Sequence, residues 1–182
     1  HDNVQGATDV GPNPDTLPGY YGLATGSWKH WATVWGVDYE FLKKQYASQA
    51  MMEKSGMTVS RWIDGVMEKN ELIDQDSNLR AMVFWGHAPN SQSRGKEMVE
   101  AMKKLDLLVV IDPYPSATAA MAAMVRKDGV YLLPAATQFE TSGSVTASNR
   151  SLQWREKVIE PVFEAKPDQT IMYLFAKKFG FA

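Results

Sequence analysis

A chain of 182 residues, 45% hydrophobic and 22% charged, is long enough to bury a core and too ordinary in composition to be disordered or fibrous. It contains no cysteine, which excludes disulfide frameworks, thiolate metal sites and cysteine nucleophiles from this chain. The 19 basic and 21 acidic residues lack the positive excess of a nucleic-acid binder. The longest apolar runs fall far below the ~20 residues that a membrane span needs. The composition therefore predicts one globular domain with neither a nucleic-acid partner nor a membrane span.

The first part of the chain, residues 1–78, is predicted to be a loop-rich arm followed by a helical segment that packs on the rest. Residues 1–27 are rich in Gly, Pro, Asn and Asp, which is typical of turns and extended backbone. Helical spacing then appears in three tryptophans: Trp28, Trp31 and Trp35. Their spacing and large apolar area favour a core or interface stripe over a ligand cage. A weakly helical stretch follows at Ser60–Met67.

The second part, residues 79–182, alternates apolar runs with helical patterns. Arg80–Trp85 and Leu107–Ile111 are short apolar runs that predict buried parallel strands. Between them, one face of a helix is marked by Met98, Val99, Met102 and Leu105. A helix at 117–124 and a strand at 130–133 repeat the pattern. The fold class predicted is α/β, an open doubly wound, mainly parallel sheet with helices on both faces.

The end of the chain is less regular. Residues 135–151 form a polar stretch dense in Thr, Ser, Gly and Asn, which predicts a long loop. Leu152–Val158 is predicted to be an edge strand, and Asp168 to cap a last helix. The chain starts at His1 rather than Met and stops within this apolar helix pattern, so we expect it to be cut from something larger.

Ligands of open α/β sheets bind outside the carboxyl ends of the strands. Three polar segments follow the predicted strands: 85–93, 112–116 and 137–149. A carboxylate at Asp112 could accept from a ribose or a guanine edge. The alternative is that Gly86 only makes a turn, and that Asp112 and Ser116 only cap the next helix.

Motifs of other common sites are missing. No G-x-G-x-x-G follows a strand, and G-x-x-x-x-G-K-[ST] is absent, which disfavours NAD and ATP. His30 lies in the tryptophan stripe and His87 follows Gly86, where it could approach a phosphate. Isolated histidines without cysteines predict no metal site in this chain. There is no G-x-S-x-G elbow, so nucleophilic catalysis has little support.

Four segments together resemble a known family. They are HDNVQGATDVG at 1–11, LPGY at 17–20, FWGHAPN at 84–90 and TQFETSGSVTASNRSLQWR at 137–155. In this order they resemble the large subunit of molybdenum- or tungsten-dependent formate dehydrogenases, most closely the respiratory, periplasmic type. That subunit is several times longer, so the resemblance implies an internal segment of it.

The resemblance implies an α/β domain that helps bind one of two molybdopterin guanine dinucleotides. The segment near the metal and the pterin would contain His1, Gln5 and Gly6. The guanosine and phosphates would be held by Gly86, His87, Ala88, Pro89, Asn90, Ser91, Asp112, Pro113 and Tyr114. The cofactor would also pass near Ser142 and Asn149. Arg94 and Lys96 are close enough in sequence to replace a basic surface around the pyrophosphate.

The catalytic parts of the family are not in this chain. The family's active-site arginine would lie just upstream of His1, and its selenocysteine or cysteine and its iron–sulfur cysteines lie far upstream. The resemblance therefore implies no catalytic residue and no metal ligand here. The longer subunit would oxidise formate to carbon dioxide in the periplasm and pass electrons through iron–sulfur clusters to an electron-transfer subunit. Two alternatives stay open: another substrate, such as nitrate or an arsenic oxyanion, and a non-catalytic structural or interaction module.

Overall fold

The computed structural model describes residues 3–11, 13, 15–46, 48–89 and 93–180. The chain divides into two compact units, His1–Met57 with Gly143–Arg155, and Thr58–Ser142 with Glu156–Ala182. This division differs from the predicted one at residue 78 in two ways: residues 58–78 belong to the second unit, and the distant segment 143–155 belongs to the first. None of the helices in the described ranges is long and apolar enough to cross a membrane.

Strands and helices alternate over residues 81–134. The helices are α1 (Val4–Asp9), α2 (Thr25–Trp35), α3 (Tyr39–Lys44), α4 (Gln49–Glu53), α5 (Trp62–Met67), α6 (Asn70–Ile73), α7 (Gly95–Lys104), α8 (Ala117–Val125) and α9 (Asp168–Phe179). The strands are β1 (Ala81–Trp85), β2 (Leu107–Asp112), β3 (Tyr131–Pro134), β4 (Gly143–Thr146) and β5 (Leu152–Arg155). Short 3-10 turns lie at Pro18–Tyr20 and Val59–Arg61.

The second unit is built on a parallel sheet with strand order β1-β2-β3. Side chains alternate along β2, so Leu108 and Val110 lie on one face while Val109 and Ile111 lie on the other. The first face is covered by α5, α7 and α8, which contribute among others Trp62, Met102 and Ala122 to a common core. The predicted β-α-β pattern is confirmed. β2 is buried as predicted, whereas β1 lies at the edge of the sheet, where Phe84 alone is fully buried and Val83 is exposed.

The opposite face of the sheet is partly covered by α9, near the carboxyl ends of the strands. Ile171 packs with Val109 and Ile111, and Phe175 lies at the edge of this cluster. The predicted cap is wrong: the residue before the helix is Pro167, and Asp168 is its first helical residue. The Asp168 carboxylate instead accepts a hydrogen bond from Trp85 Nε1 at 2.7 Å, which ties α9 to the end of β1. Helices therefore lie on both faces, as predicted.

The first unit has its own small core. Trp28 is buried with Leu17 and Met52, and its indole N–H donates to the Met52 carbonyl at 2.9 Å. The tryptophan spacing is thus explained by α2, with Trp28 in the core and Trp35 45% exposed. The prediction that residues 1–27 are only loop is wrong at α1, where the Asn3 side chain accepts from the Gly6 N–H at 3.0 Å and caps the helix.

The polar stretch after β3 contains a hairpin that the sequence pattern did not predict. β4 and β5 pair antiparallel, with Ser144 opposite Trp154. Leu152–Arg155 is therefore not an edge strand of the parallel sheet, and the predicted strand ends before 158. The turn is closed by Asn149, whose Oδ1 accepts from the Ser151 N–H at 3.0 Å and the Ser151 hydroxyl at 2.7 Å.

Candidate functional site

The carboxyl ends of the parallel strands form a continuous row in the second unit. Trp85 is in register with Ile111, and Asp112 with Pro134. Gly86 has φ of +57°, a left-handed conformation that suits glycine, and its N–H donates to the Ile111 carbonyl at 2.9 Å. This geometry places the start of the first predicted segment, at Gly86, beside the second, at Asp112.

Asp112 lies where β2 ends and is half-buried. Its Oδ1 accepts the Tyr114 N–H at 3.2 Å, an Asx turn that holds the carboxylate at the strand end. The cap of α8 is Ser116, whose hydroxyl accepts from the Ala119 N–H at 3.3 Å. The capping alternative is therefore right for Ser116 and not for Asp112. Pro113 is exposed, and Tyr114 is 71% exposed.

The segment after β1 is anchored by apolar contacts. The His87 ring is half-buried, with its centroid 6.4 Å from that of Phe84, and Ala88 is exposed. Pro89 is fully buried. Asn90 and Ser91, which the resemblance assigns to cofactor binding, lie outside the described residues. A cavity of about 310 Å³ borders this segment and is lined by Ser60, Trp62, Ile63, Pro89, Ser93 and Met98.

Arg94 has different partners from those that the sequence suggests. It precedes α7 with φ of +71°, and its guanidinium contacts the Asp64 carboxylate at 2.7 Å and Glu97 at 2.8 Å. The hydrogen bond from Arg94 lowers the pKa of Asp64, and Glu97 and Asp64 raise that of Arg94. With both carboxylates bound, Arg94 is largely neutralised. The expectation that its charge offsets a pyrophosphate is therefore not supported, while Lys96 is exposed.

The segment after β3 is held by Glu140, a residue that the sequence analysis missed. Glu140 is 3% exposed, and its carboxylate accepts from the Thr137 N–H at 2.7 Å, the Thr137 hydroxyl at 2.8 Å and the Val162 N–H at 2.8 Å. The two backbone bonds, followed by the hydroxyl, lower the pKa of this carboxyl. The T-x-x-E pattern at Thr137 to Glu140 is the signal that could have found it.

Ser142 is exposed, but its hydroxyl is engaged within the protein. The Oγ accepts from the Lys157 N–H at 3.0 Å and donates to the Glu156 carboxylate at 3.2 Å. Phe139 adds to this connection, since its carbonyl accepts from the Val158 N–H at 2.7 Å. Ser142 therefore joins the two stretches of the second unit that flank the hairpin.

The remaining predicted residues lie in the first unit, apart from His1, which is outside the described residues. Gly6 is buried where α1 packs on β4: a Cβ there would lie 2.5 Å from the Thr146 carbonyl oxygen. Asn3 joins the same elements, because its amide donates to that carbonyl. Gly6 is thus required by the protein's own packing. Gln5 is on α1 and exposed.

The two first-unit segments are joined by a second contact. Asp9, at the end of α1, accepts from the Tyr20 hydroxyl at 2.5 Å and pairs with Arg150 Nε at 3.2 Å. Arg150 directly follows Asn149 in the hairpin turn. The structure therefore places α1, which carries Gln5 and Gly6, against the hairpin that carries Asn149, although more than half of the chain separates these residues. Within the described ranges, no group of three or more His, Asp or Glu side chains could hold a metal ion.

Comparison with known proteins gives the chain a family. The model of the molybdopterin oxidoreductase family matches residues 16–178. A Bacillus subtilis protein named "Probable oxidoreductase YjgC" is 33% identical over 99% of this chain and 16% of its own length. The F420-dependent formate dehydrogenase subunit alpha of Methanocaldococcus jannaschii is 31% identical over 98% of this chain and 22% of its own length. The chain thus spans 16% and 22% of the length of these two relatives. The family model covers both units, and on that evidence the chain belongs to the molybdopterin oxidoreductase family.

Proposed function

We propose that this chain forms part of a molybdopterin guanine dinucleotide site in the catalytic subunit of a formate dehydrogenase. The observation that carries the proposal is the Asp112 carboxylate, held at the end of β2 beside Gly86. Family membership implies a molybdopterin cofactor, and the guanine dinucleotide form is the part that the strand ends support.

The donor and acceptor groups at the strand ends fit a guanine nucleotide. A guanine edge carries two N–H donors, and a carboxylate such as Asp112 can accept both. The exposed ring of Tyr114 offers a face for stacking. The first turn of α7 has no side-chain cap, so its backbone N–H groups remain suitable partners for a phosphate.

In this proposal the cofactor carries out the redox step, and this chain only binds the cofactor. The bound group supplies a metal centre that takes two electrons from the substrate. Residues of this chain would bind and orient the cofactor. Asp112 and Tyr114 would contact the guanosine, and Gly86 would allow the backbone to approach a phosphate closely. The exposed first-unit residues Gln5 and Asn149 are proposed to lie along the same cofactor, on the resemblance alone.

Formate as the substrate rests on the resemblance and on the printed name of the Methanocaldococcus jannaschii relative. The remaining domains of a longer subunit, an iron–sulfur electron-transfer partner and a periplasmic location belong to the same proposal. The competing proposal is that the substrate is another oxyanion. Elemental analysis distinguishes molybdenum from tungsten.

The nucleotide site is tested by titrating the chain with GDP and with ADP. Guanine presents two N–H donors to Asp112 and adenine does not, so we expect millimolar GDP to shift the amide resonances of Gly86, His87 and Tyr114, and ADP to bind about tenfold more weakly. Asp112→Asn keeps an oxygen for the Tyr114 N–H but loses the paired acceptors, so the preference for GDP should vanish.

The matched control is Asp128→Asn, an exposed carboxylate before the opposite, amino end of β3. It should leave both titrations unchanged. Equal binding of GDP and ADP by the unsubstituted chain, or an unaltered preference in Asp112→Asn, would contradict the assignment of Asp112.

The activity is tested on the full-length polypeptide that carries this sequence. After anaerobic purification we expect molybdenum or tungsten by elemental analysis, GMP after acid hydrolysis of the released cofactor, and formate-dependent reduction of a viologen dye. Metal without formate oxidation, but with nitrate or arsenic-oxyanion turnover, would shift the proposal to another member of the family. Absence of both metals would contradict the proposed formate dehydrogenase activity.

A further inference from the structure

We propose that Arg94 is a positioning residue of the nucleotide site, which acts by tying the start of α7 to α5 through Asp64 rather than by binding phosphate. This inference rests on the proposed function for its ligand, but the tie itself is a feature of the second unit alone. Arg94 is the last residue before α7, next to the backbone N–H groups that are proposed to bind the phosphates.

The ion pair is more protected than a usual surface pair. The Arg94 and Asp64 side chains are 33% and 18% exposed, with 2.7 Å between Nη1 and Oδ1. Arg61 approaches the second Asp64 oxygen at 3.4 Å, and Glu97 takes the other side of the Arg94 guanidinium. The Arg80–Asp106 pair on the same unit is 80% and 57% exposed at 2.6 Å. Protected, multidentate pairs hold geometry in a way that exposed pairs do not.

The backbone at Arg94 requires such a tie. Its φ of +71° is unfavourable for a residue with a side chain, and contacts made by that side chain must offset this cost. The Met98 N–H donates to the Arg94 carbonyl at 2.9 Å, so the conformation of Arg94 determines where α7 begins. The far side of the tie is fixed, because α5 carries Trp62 and Ile63 in the main core.

A direct phosphate ligand and a positioning residue predict opposite results for Asp64→Asn. If Arg94 binds phosphate, removing the competing carboxylate frees its charge and GDP binds more tightly. If Arg94 positions α7, loss of Asp64 releases the start of the helix and GDP binds more weakly. Arg94→Lys also distinguishes the two roles. A lysine keeps the positive charge that a phosphate ligand needs, but it lacks the planar guanidinium that binds two carboxylates at once.

The test is a double-mutant cycle of Asp64→Asn and Arg94→Gln, with GDP affinity measured by calorimetry. We expect each single change to weaken GDP about tenfold, and the double variant to be no weaker than either, because both remove one interaction. Arg94→Lys should behave like Arg94→Gln. The matched cycle of Arg80→Gln and Asp106→Asn should leave the affinity unchanged. Tighter binding in Asp64→Asn, additive losses, or retention of affinity in Arg94→Lys would each overturn the proposal.

Amide hydrogen exchange in the ligand-free chain separates this inference from the nucleotide proposal. Exchange at Met98, Val99 and Glu100, the amides whose N–H groups donate to carbonyls at the start of α7, should accelerate in Asp64→Asn and in Arg94→Gln alike, while amides of β2 keep their protection. If the unsubstituted chain binds no GDP but shows this local change, the tie stands and the nucleotide site fails. Unchanged exchange at these amides overturns the tie whatever the affinity.

Discussion

Arg126→Met is expected to destabilise the second unit by about 3 kcal/mol, since it leaves several buried carbonyl groups without a donor. Arg126 follows α8 and is 7% exposed. Its guanidinium donates to the Leu105 carbonyl at 2.7 Å and the Gly129 carbonyl at 2.6 Å, and also reaches Met102. Methionine has similar length and no donor. The loss is measured as the free energy of opening from amide exchange of Val110, at the centre of the sheet.

Lys127→Met is the control, because it removes an exposed cation next in sequence and should change that free energy by less than about 0.5 kcal/mol. The size of the Arg126 effect has a local cause. The guanidinium binds carbonyls at the carboxyl end of α7, where the helix dipole is negative, and these groups are shielded from water. Equal losses in the two variants would show that positive charge, and not these hydrogen bonds, is what stabilises the unit.

Glu140→Gln is expected to loosen the segment after β3 and to remove a pH dependence. The pKa of Glu140 lies below its ordinary value of 4.5 because the Thr137 and Val162 N–H groups bind the ionised form. A lowered pKa means that this stabilisation is complete above pH 4.5 and is lost as the pH falls through the folded-state value. The variant should therefore be less stable than the unsubstituted chain at pH 7, with the difference shrinking in acid.

The measurement is amide exchange or urea unfolding of both proteins at pH 7 and at successive values below 4.5. Glu164→Gln provides the control, since this exposed carboxylate lies in the same unit. Exchange should rise in Glu140→Gln at Thr137 and Val162, the two N–H groups that lose a charged acceptor. A stability difference that stays constant down to acid pH would show that the Glu140 carboxylate is not the stabilising group.

The arginines show how residue identity alone misleads about charge. Arg94 has the position in the sequence of a phosphate ligand, yet Asp64 and Glu97 take up its charge. Arg126 is followed in sequence by the exposed charged residues Lys127 and Asp128, yet it is buried against carbonyls. Each arginine has one partner close in sequence, Glu97 for Arg94 and Gly129 for Arg126. Asp64 and Leu105 lie many residues away and meet these arginines only when α5, α7 and α8 pack together.

Local patterns did predict the parts of the fold that depend on local physics. The β-branched run at 107–111 indicated a buried strand, and the apolar face of α7 indicated a helix that packs on a sheet. A parallel sheet then followed, since an intervening helix leaves strands parallel. A strand was predicted from Leu152, where apolar and polar residues alternate, but its pairing in a hairpin escaped prediction because β4, Gly143–Thr146, is four residues long and has a single large apolar residue, Val145.

By itself the sequence determined the α/β class and the resemblance that family membership bears out, and it predicted the strand ends as the place for a ligand. Only the tertiary structure decided that Gly6 is closed in by Thr146 and that Arg94 is held by α5 through Asp64. The physical reason is the distance along the chain over which each interaction acts. Periodicity and turn chemistry act within a few residues, whereas the partners of a buried charge or a close-packed glycine are chosen by elements far apart in the chain.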